Sequence, residues 1–308
     1  MTALAHGAPP FKGLFTIFEF LQQLINGVSV GAMYAMLAVG FSLVYNILGI
    51  VNFSHGATIL LGAYVAFWLA QYLGIPLELA LLLSIIVSGL GSLLIERITL
   101  RPLRRQKQPS IFFFVASLTV YNLTAAIIIY IGKGNIVSYP KTILGGSFDL
   151  GPLVISQLDV AMLVIAVISL TMLNLVFNKT KLGLAIRAAS YNLKAAQLMG
   201  INPDFVIAGT FLFAGLLGGL AGSLLGAKYA IFPGLGDMVF KAFFCCMIGG
   251  LGSLTGAIFG GLLMGLLETF VSAYIQAAIS PAITFGLLIV LLLVRPQGIA
   301  GRLVEEKI

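Results

Sequence analysis

Few side chains in this sequence can do polar chemistry away from its basic loops. The densest group lies in LGIVNFSHGA, Leu48 to Ala57. Asn52, Ser54 and His55 follow in quick succession, Gly56 closes the group, and Tyr45 and Asn46 precede it. From Phe20 to Gln71 no other side chain ionises except tyrosines, and His55 is one of only 2 histidines. An amide, a hydroxyl and an imidazole together can satisfy backbone groups freed at a helix break, or meet a polar solute. They do not make a nucleophile and base. The sequence has no G-x-S-x-G, no pair of carboxylates within an apolar span and no His/Cys cluster, so enzyme chemistry is not expected. It also lacks G-x-x-x-x-G-K-[ST], so it should not hold ATP in a phosphate loop, and nothing resembles a carbonyl filter for ions. Cys245 and Cys246 are adjacent in an apolar run and read as packed thiols rather than a disulfide or metal site. Glu268, in GLLETFV, is the other internal ionisable candidate, with a structural or interfacial role as its alternative. Glu19, Asp159, Asp204 and Lys241 fall at expected span ends.

The elements that carry these residues follow from composition. The chain has 308 residues, 60% hydrophobic and 9% charged, with a mean hydropathy of +1.09. A soluble domain is typically about 25% charged. Such a chain cannot cover a water-facing surface, which implies an all-α integral membrane protein. The net charge of +7 does not imply nucleic acid, because the charges sit in short loops between apolar spans. The start, MTALAHGAPPFKG, lacks the pattern of a cleavable signal peptide.

A bilayer core needs about 20 apolar residues per helix. By that measure spans are expected near 19–43, 56–73, 77–97, 110–131, 157–177 and 204–227. The region 238–294 should hold two or three more, interrupted at Gly249–Gly256 and at Ile279-Ser280-Pro281. The expectation is a bundle of about eight helices, some discontinuous. Asn202-Pro203 and Ser280-Pro281 read as helix starts with a capping side chain before proline, and Pro76 and Pro109 mark two more. Loop 97–110 holds five basic residues, 178–203 four and the tail three (Arg295, Arg302, Lys307), twelve of the 17 Lys and Arg. Lys12, Lys133, Lys141, Lys228 and Lys241 are left for the other side. The positive-inside rule places the two loops and the C-terminus in the cytoplasm. The N-terminus is then outside, provided 19–73 crosses twice. One or three crossings after Lys241 satisfy that orientation, with three preferred. Stretch 132–158 is the one long outside segment, a surface loop or short hairpin, or a contact for an external partner.

Glycines repeat at four-residue spacing in AGLLGGLAGSLLGA. Gly215, Gly218, Gly219, Gly222 and Gly226 form overlapping pairs that allow close helix contacts, within the chain or with a second membrane subunit. Gly252, Gly256 and Gly260 continue the pattern.

Between Lys179 and Pro203, Leu182, Ile186, Ala189, Leu193, Ala196 and Gly200 form one apolar helical stripe. Arg187, Tyr191 and Lys194 lie off it, and Gly200 ends the helix. A short amphipathic helix here either rests on lipid headgroups or inserts into a groove on a partner.

GLAIRAASYNLKAAQLMGIN resembles the coupling segment of permease subunits of bacterial ABC importers. NGVSVGAMYAMLAVGFSLVYNILGIVNFSHG, IGGLGSLTGAIFGGLLMGLLE and RPQGIAG are similar to the permeases of branched-chain amino acid importers, over Phe20 to Gly301. The resemblance implies a single transmembrane permease domain over 1–308, with a coupling segment at 178–203 and an external loop at 132–158. It implies a heterodimer with a second, related permease, two cytoplasmic ATPase subunits that use ATP, and a periplasmic substrate-binding protein, all at a bacterial inner membrane. No cofactor is expected on this chain itself. Urea, short amides and other amino acids are carried by near relatives. Under that reading Arg187, Ala188, Ser190, Tyr191, Asn192, Lys194, Ala195, Ala196 and Gly200 face the ATPase. Tyr45, Asn46, Asn52, Ser54, His55 and Gly56, with Gly249, Gly250, Gly252 and Ser253 in the second interruption, are candidates for the translocation path or gate. Helix ends freed at two such breaks suit a zwitterion. An ion-coupled secondary transporter is the rival, and would need intramembrane acids beyond Glu268. Phe20 to Leu73 is too long for two crossings by roughly a dozen residues. The excess falls on Asn52–Gly56, which is therefore expected to be the turn between two spans.

Overall fold

The computed structural model describes residues 17–140, 145–151, 153–295 and 298–299. Lys12, Lys141, Arg302, Lys307 and most of RPQGIAG lie outside them. The described residues are almost wholly helical: α1 (Ile17–Leu48), α2 (His55–Tyr72), α3 (Leu77–Ile95), α4 (Arg101–Arg105), α5 (Ser110–Gly132), α6 (Gln157–Lys179), α7 (Lys181–Tyr191), α8 (Leu193–Leu198), α9 (Pro203–Tyr229), α10 (Met238–Gly249), α11 (Leu254–Val271) and α12 (Ser280–Val294). A π turn, Glu96–Leu100, joins α3 to α4, and another, Ser272–Gln276, extends α11. Among the described residues, 6 helical stretches are long and apolar enough to cross a membrane. The shorter or more polar α2 and α12 bring the number near the expected eight. Three crossings were preferred after Lys241; among the described residues α11 and α12 follow it, and Lys241 itself lies within α10, which has only 12 residues.

α1 runs through the centre of the bundle. It packs antiparallel on α11, with Gly31 against Gly265 and Gly261 against Ala35. The pair Gly27 and Gly31 on α1 makes this approach possible and escaped the sequence reading, which marked small residues only on α9 and near 252–260. Of those, Gly256 and Gly260 face Gly249 and Cys245 of α10, whereas Gly252 sits in the turn between α10 and α11. The α9 glycines pack within the chain. Gly215 and Gly219 meet Ser92 and Ser88 of α3, Gly218 and Gly222 meet Thr58 and Ile59 of α2, and Gly226 meets Ile231. Ser88 donates to the carbonyls of Thr58 (2.7 Å) and Gly215 (3.0 Å), tying the three helices together. Cys245 and Cys246 are free and buried, as packed thiols should be.

The helix starts follow local chemistry. Asn202 accepts from the amides of Asp204 (3.0 Å) and Phe205 (3.4 Å), with Pro203 in the first turn of α9. Pro76 and Pro109 precede α3 and α5. Ser280 departs from its expected capping role: its hydroxyl donates to the Glu268 carbonyl at 3.0 Å and holds α12 on α11. In the 132–158 segment, β1 (Ser147–Leu150) and β2 (Leu153–Ser156) pair antiparallel as a hairpin. Gln22 of α1 exchanges two hydrogen bonds with the Val154 backbone, of 2.8 and 3.1 Å.

Candidate functional site

The polar group at 52–56 is the turn between α1 and α2, as the length of the two spans requires. It folds back into the bundle. Gly40 of α1 and Gly218 of α9 flank the His55 ring, and Gly56 abuts Tyr121 of α5 and Gly236. Tyr121 and Gly218 lie at mid-length in their helices, so α2 begins near the middle of the bundle. Asn52 accepts from the Ser54 amide (3.2 Å) and hydroxyl (2.7 Å), closing a local turn. The Phe53 amide donates to Ser117 of α5 at 3.1 Å. Thr58 donates to the His55 carbonyl at 2.7 Å, and its oxygen lies 3.3 Å from His55 Nδ1. Asn52, Ser54 and His55 are only 4%, 2% and 3% exposed. A solute reaches them only after a rearrangement. Their contacts hold a turn and anchor the start of α2.

The second interruption lies elsewhere. Gly249 packs on Gly256, Gly250 has a left-handed backbone, and Ser253 caps α11 by accepting from Gly256 N at 3.1 Å. Asn46 donates to the Gly252 carbonyl, and Tyr45 lies beside Gly252. So Tyr45 and Asn46 join this turn at one end of the bundle, away from the His55 slot.

That same end carries the amphipathic segment, which departs from one continuous helix. It breaks at Asn192, whose extended backbone ends α7 and whose side chain caps α8 by accepting from Ala195 N at 3.0 Å. Gly183, Ile186, Ala189 and Ala196 are buried, with Leu193 half-buried, so the apolar stripe faces the bundle. Ala196, expected on a partner-facing surface, therefore packs inward; Ala188 and Ser190 are half-buried. Arg187, Tyr191, Lys194, Ala195 and Gly200 are exposed. Leu184, Leu198 and Met199 join them, the last two at 89% and 84% exposure. Arg187 donates to Asn178 of α6 at 2.8 Å. Next to this segment, Asp204 of α9 accepts from Arg101 (2.5 Å), Arg104 (2.7 Å) and Arg105 (3.3 Å) of α4. Arg104 also reaches the buried Glu96 at 2.9 Å.

Toward the opposite end, Lys241 of α10 pairs with Glu268 of α11 at 2.6 Å, and both bond the Tyr34 hydroxyl of α1 at 2.9 Å. Lys228 of α9 pairs with Asp159 of α6. The sequence reading placed Lys241 at a span end on the outer side. Because α10 starts inside the bundle, it instead sits among helices.

A family model described as the branched-chain amino acid transport system / permease component matches residues 23–294. The chain belongs to this permease family. It is 35% identical over 307 residues to the high-affinity branched-chain amino acid transport system permease protein BraD of Pseudomonas aeruginosa, covering 95% of this chain and 99% of that one. It is 34% identical over 303 residues to LivH of Salmonella typhimurium, covering 94% and 98%. The galactofuranose transporter permease protein YtfT of Escherichia coli is 31% identical over 197 residues, covering 64% and 54%. Among solved structures, PsaBC from Streptococcus pneumoniae in complex with Fab matches with a TM-score of 0.50 at 16% identity, covering 92% of this chain and 93% of that one. That likeness concerns the fold alone.

Sequence reasoning about the permease missed its two ion pairs and its clamp on Asp204. In each case the partners lie on different helices, Lys241 and Glu268 being 27 residues apart and Arg101 and Asp204 103 apart. The signal available was physical. A lysine in an apolar stretch needs a counter-charge, and the described helices offer few acids to supply one.

Proposed function

We propose that this permease forms half of the translocation path of an ATP-driven importer for branched-chain or related amino acids, in a bacterial inner membrane. The observation that carries this reading is the outward face of α7 and α8. There Leu184, Tyr191, Leu198 and Met199 are exposed beside Arg187 and Lys194, while the inner stripe is already packed. A helix resting on the bundle by one apolar face and presenting a second is suited to a groove on a partner. The partners in this reading are two cytoplasmic ATPase subunits, a second related permease that completes the path, and a periplasmic binding protein that delivers substrate. The basic end of the bundle then faces the cytoplasm and takes the C-terminal tail with it.

The connections of this segment support alternating access. ATP binding and hydrolysis by the ATPases displaces α7 and α8. Thr180, which caps α7 by accepting from Gly183 N at 3.1 Å, and the Arg187–Asn178 bond link the motion to α6. Gly200 to Pro203 links it to α9, and the arginines on Asp204 pass it on to α4 and α3. The turn at 52–56 opens as these helices move, and His55 anchors it.

Co-purification tests the reading. The permease should retain ATPase subunits, and Arg187→Glu with Leu198→Glu should release them and abolish uptake with the chain still folded. Robust uptake by this chain alone in ATP-free proteoliposomes would overturn it.

A further inference from the structure

A cavity of about 560 Å³ opens at the end of the bundle opposite α7 and α8, between α1, α6, α9 and α11. Its size is that of a small-molecule pocket. Its wall includes Asn26, Asp159, Lys228, Tyr229, Glu268 and Ser272. Two ion pairs reach it: Lys228 and Asp159 both line the wall, and Glu268 lines it for the second pair. Lys228 holds Asp159, and Lys241 stands behind Glu268. The four charged side chains are 15–21% exposed, so they are largely dehydrated and still reachable. Tyr229 stands close enough to both carboxylates to feel the charge of each.

Two ion pairs in such a place are hard to account for by stability. Desolvating them costs more than apolar side chains of equal volume would. Both pairs facing one cavity instead suits a ligand that carries both charges itself. A zwitterion inserted between Lys228 and Asp159 gives the lysine a carboxylate and the aspartate an ammonium. The exchange leaves every charge paired and moves no net charge into the bundle. An anion or a cation alone would leave one protein charge unmatched.

We propose that this cavity is the outer subsite for an α-amino acid zwitterion, with its ammonium on Asp159 and Glu268 and its carboxylate on Lys228. The proposal rests on the amino-acid importer reading and deepens it. The apolar side chain of the substrate plays no part in this recognition, so the subsite selects the zwitterion and not the identity of the amino acid.

The test uses the complete transporter, reconstituted with its binding protein. Radiolabelled leucine uptake is compared with complex yield and basal ATP hydrolysis. Three changes are made: Asp159→Lys with Lys228→Asp, which keeps an ion pair but reverses its direction; Glu268→Gln with Lys241→Met, which removes the other pair; and Ser272→Leu, which narrows the cavity and leaves both pairs intact. Each should leave yield and basal hydrolysis near wild type and lower uptake at limiting substrate by about tenfold or more. Wild-type uptake by the reversed pair, or by Ser272→Leu where the paired variants do not assemble, overturns the subsite and leaves the importer reading intact. A wild-type complex that carries no amino acid overturns both.

Discussion

Gly222 gives the sharpest test of the packing. A Cβ built there would stand 2.9 Å from both the Cα and the carbonyl carbon of Ile59 on α2, and closer still to its oxygen. These are backbone atoms of a helix and cannot swing aside, so α2 and α9 must separate by about 1 Å to admit a methyl group. A gap of that size forfeits about a quarter to a half of each atom pair's attraction of about 0.1–0.2 kcal/mol. Over about 40 pairs along the two helices the loss is about 2 kcal/mol, within the usual range of about 1–3 kcal/mol for overpacking. Gly222→Ala should therefore lower the melting temperature of the purified complex by about 5 °C, taking about 2–4 °C per kcal/mol for a chain of this size. Gly222→Leu should prevent its recovery altogether. Gly286→Ala in α12 is the control, because a Cβ there meets nothing within 4 Å. It should melt at or slightly above wild type, since alanine favours helix over glycine. The assay is thermal unfolding in detergent followed by size exclusion. A Gly222→Ala protein as stable as wild type would refute the argument, as would an equal loss in the control.

Gly40→Ala should cost about 1–3 kcal/mol, because its Cβ would lie 2.8 Å from His55 Cε1. Adding His55→Ala should recover part of that loss in a double-mutant cycle, whereas simple additivity would show that the two residues do not share a slot. His55→Leu keeps the slot filled and loses the approach of Thr58 to the ring; uptake should fall with membrane insertion intact, and unchanged uptake would reduce His55 to packing. Asp204→Asn deprives three arginines of a shared carboxylate at a position about 30% exposed, for a loss of about 1–2 kcal/mol. The expected signature is uncoupling, with ATP hydrolysis retained and uptake per ATP reduced. Arg105→Ala, which removes the most exposed of the three side chains, should change little.

Elements set by spacing along the chain could be read in advance, and contacts between distant segments could not. The turn at 52–56 followed from the length of Phe20 to Leu73, and the apolar stripe of α7 and α8 from its three- and four-residue steps, but the stripe was expected on headgroups or a partner and packs on the bundle instead. The break at Asn192 was hidden because asparagine on a polar face and asparagine capping the next helix occupy the same position in the pattern; only the backbone tells them apart. Ala196 was misassigned because spacing alone shows which residues share a stripe and not whether that stripe meets a partner or the bundle, where it is buried. The α9 glycines stood out by repetition, whereas the lone pair Gly27 and Gly31 carried no such signal. The depth of the His55 turn depended on Gly40, Tyr121 and Gly218 meeting it, which no local pattern encodes.

The half-length α10 bears on how the chain enters the bilayer during synthesis. Its 12 residues span about 18 Å at about 1.5 Å per residue, short of a core about 30 Å thick. Lys241 adds up to about 2.5–3.5 kcal/mol to the cost of inserting it alone. The carboxylate that neutralises Lys241 is made only with α11. The segment should therefore wait at the insertion machinery and partition as a hairpin once Glu268 has emerged. Nascent chains ending at residue 253 should leave Cys245 and Cys246 of α10 open to a membrane-impermeant thiol reagent, and chains ending at 276 should protect them.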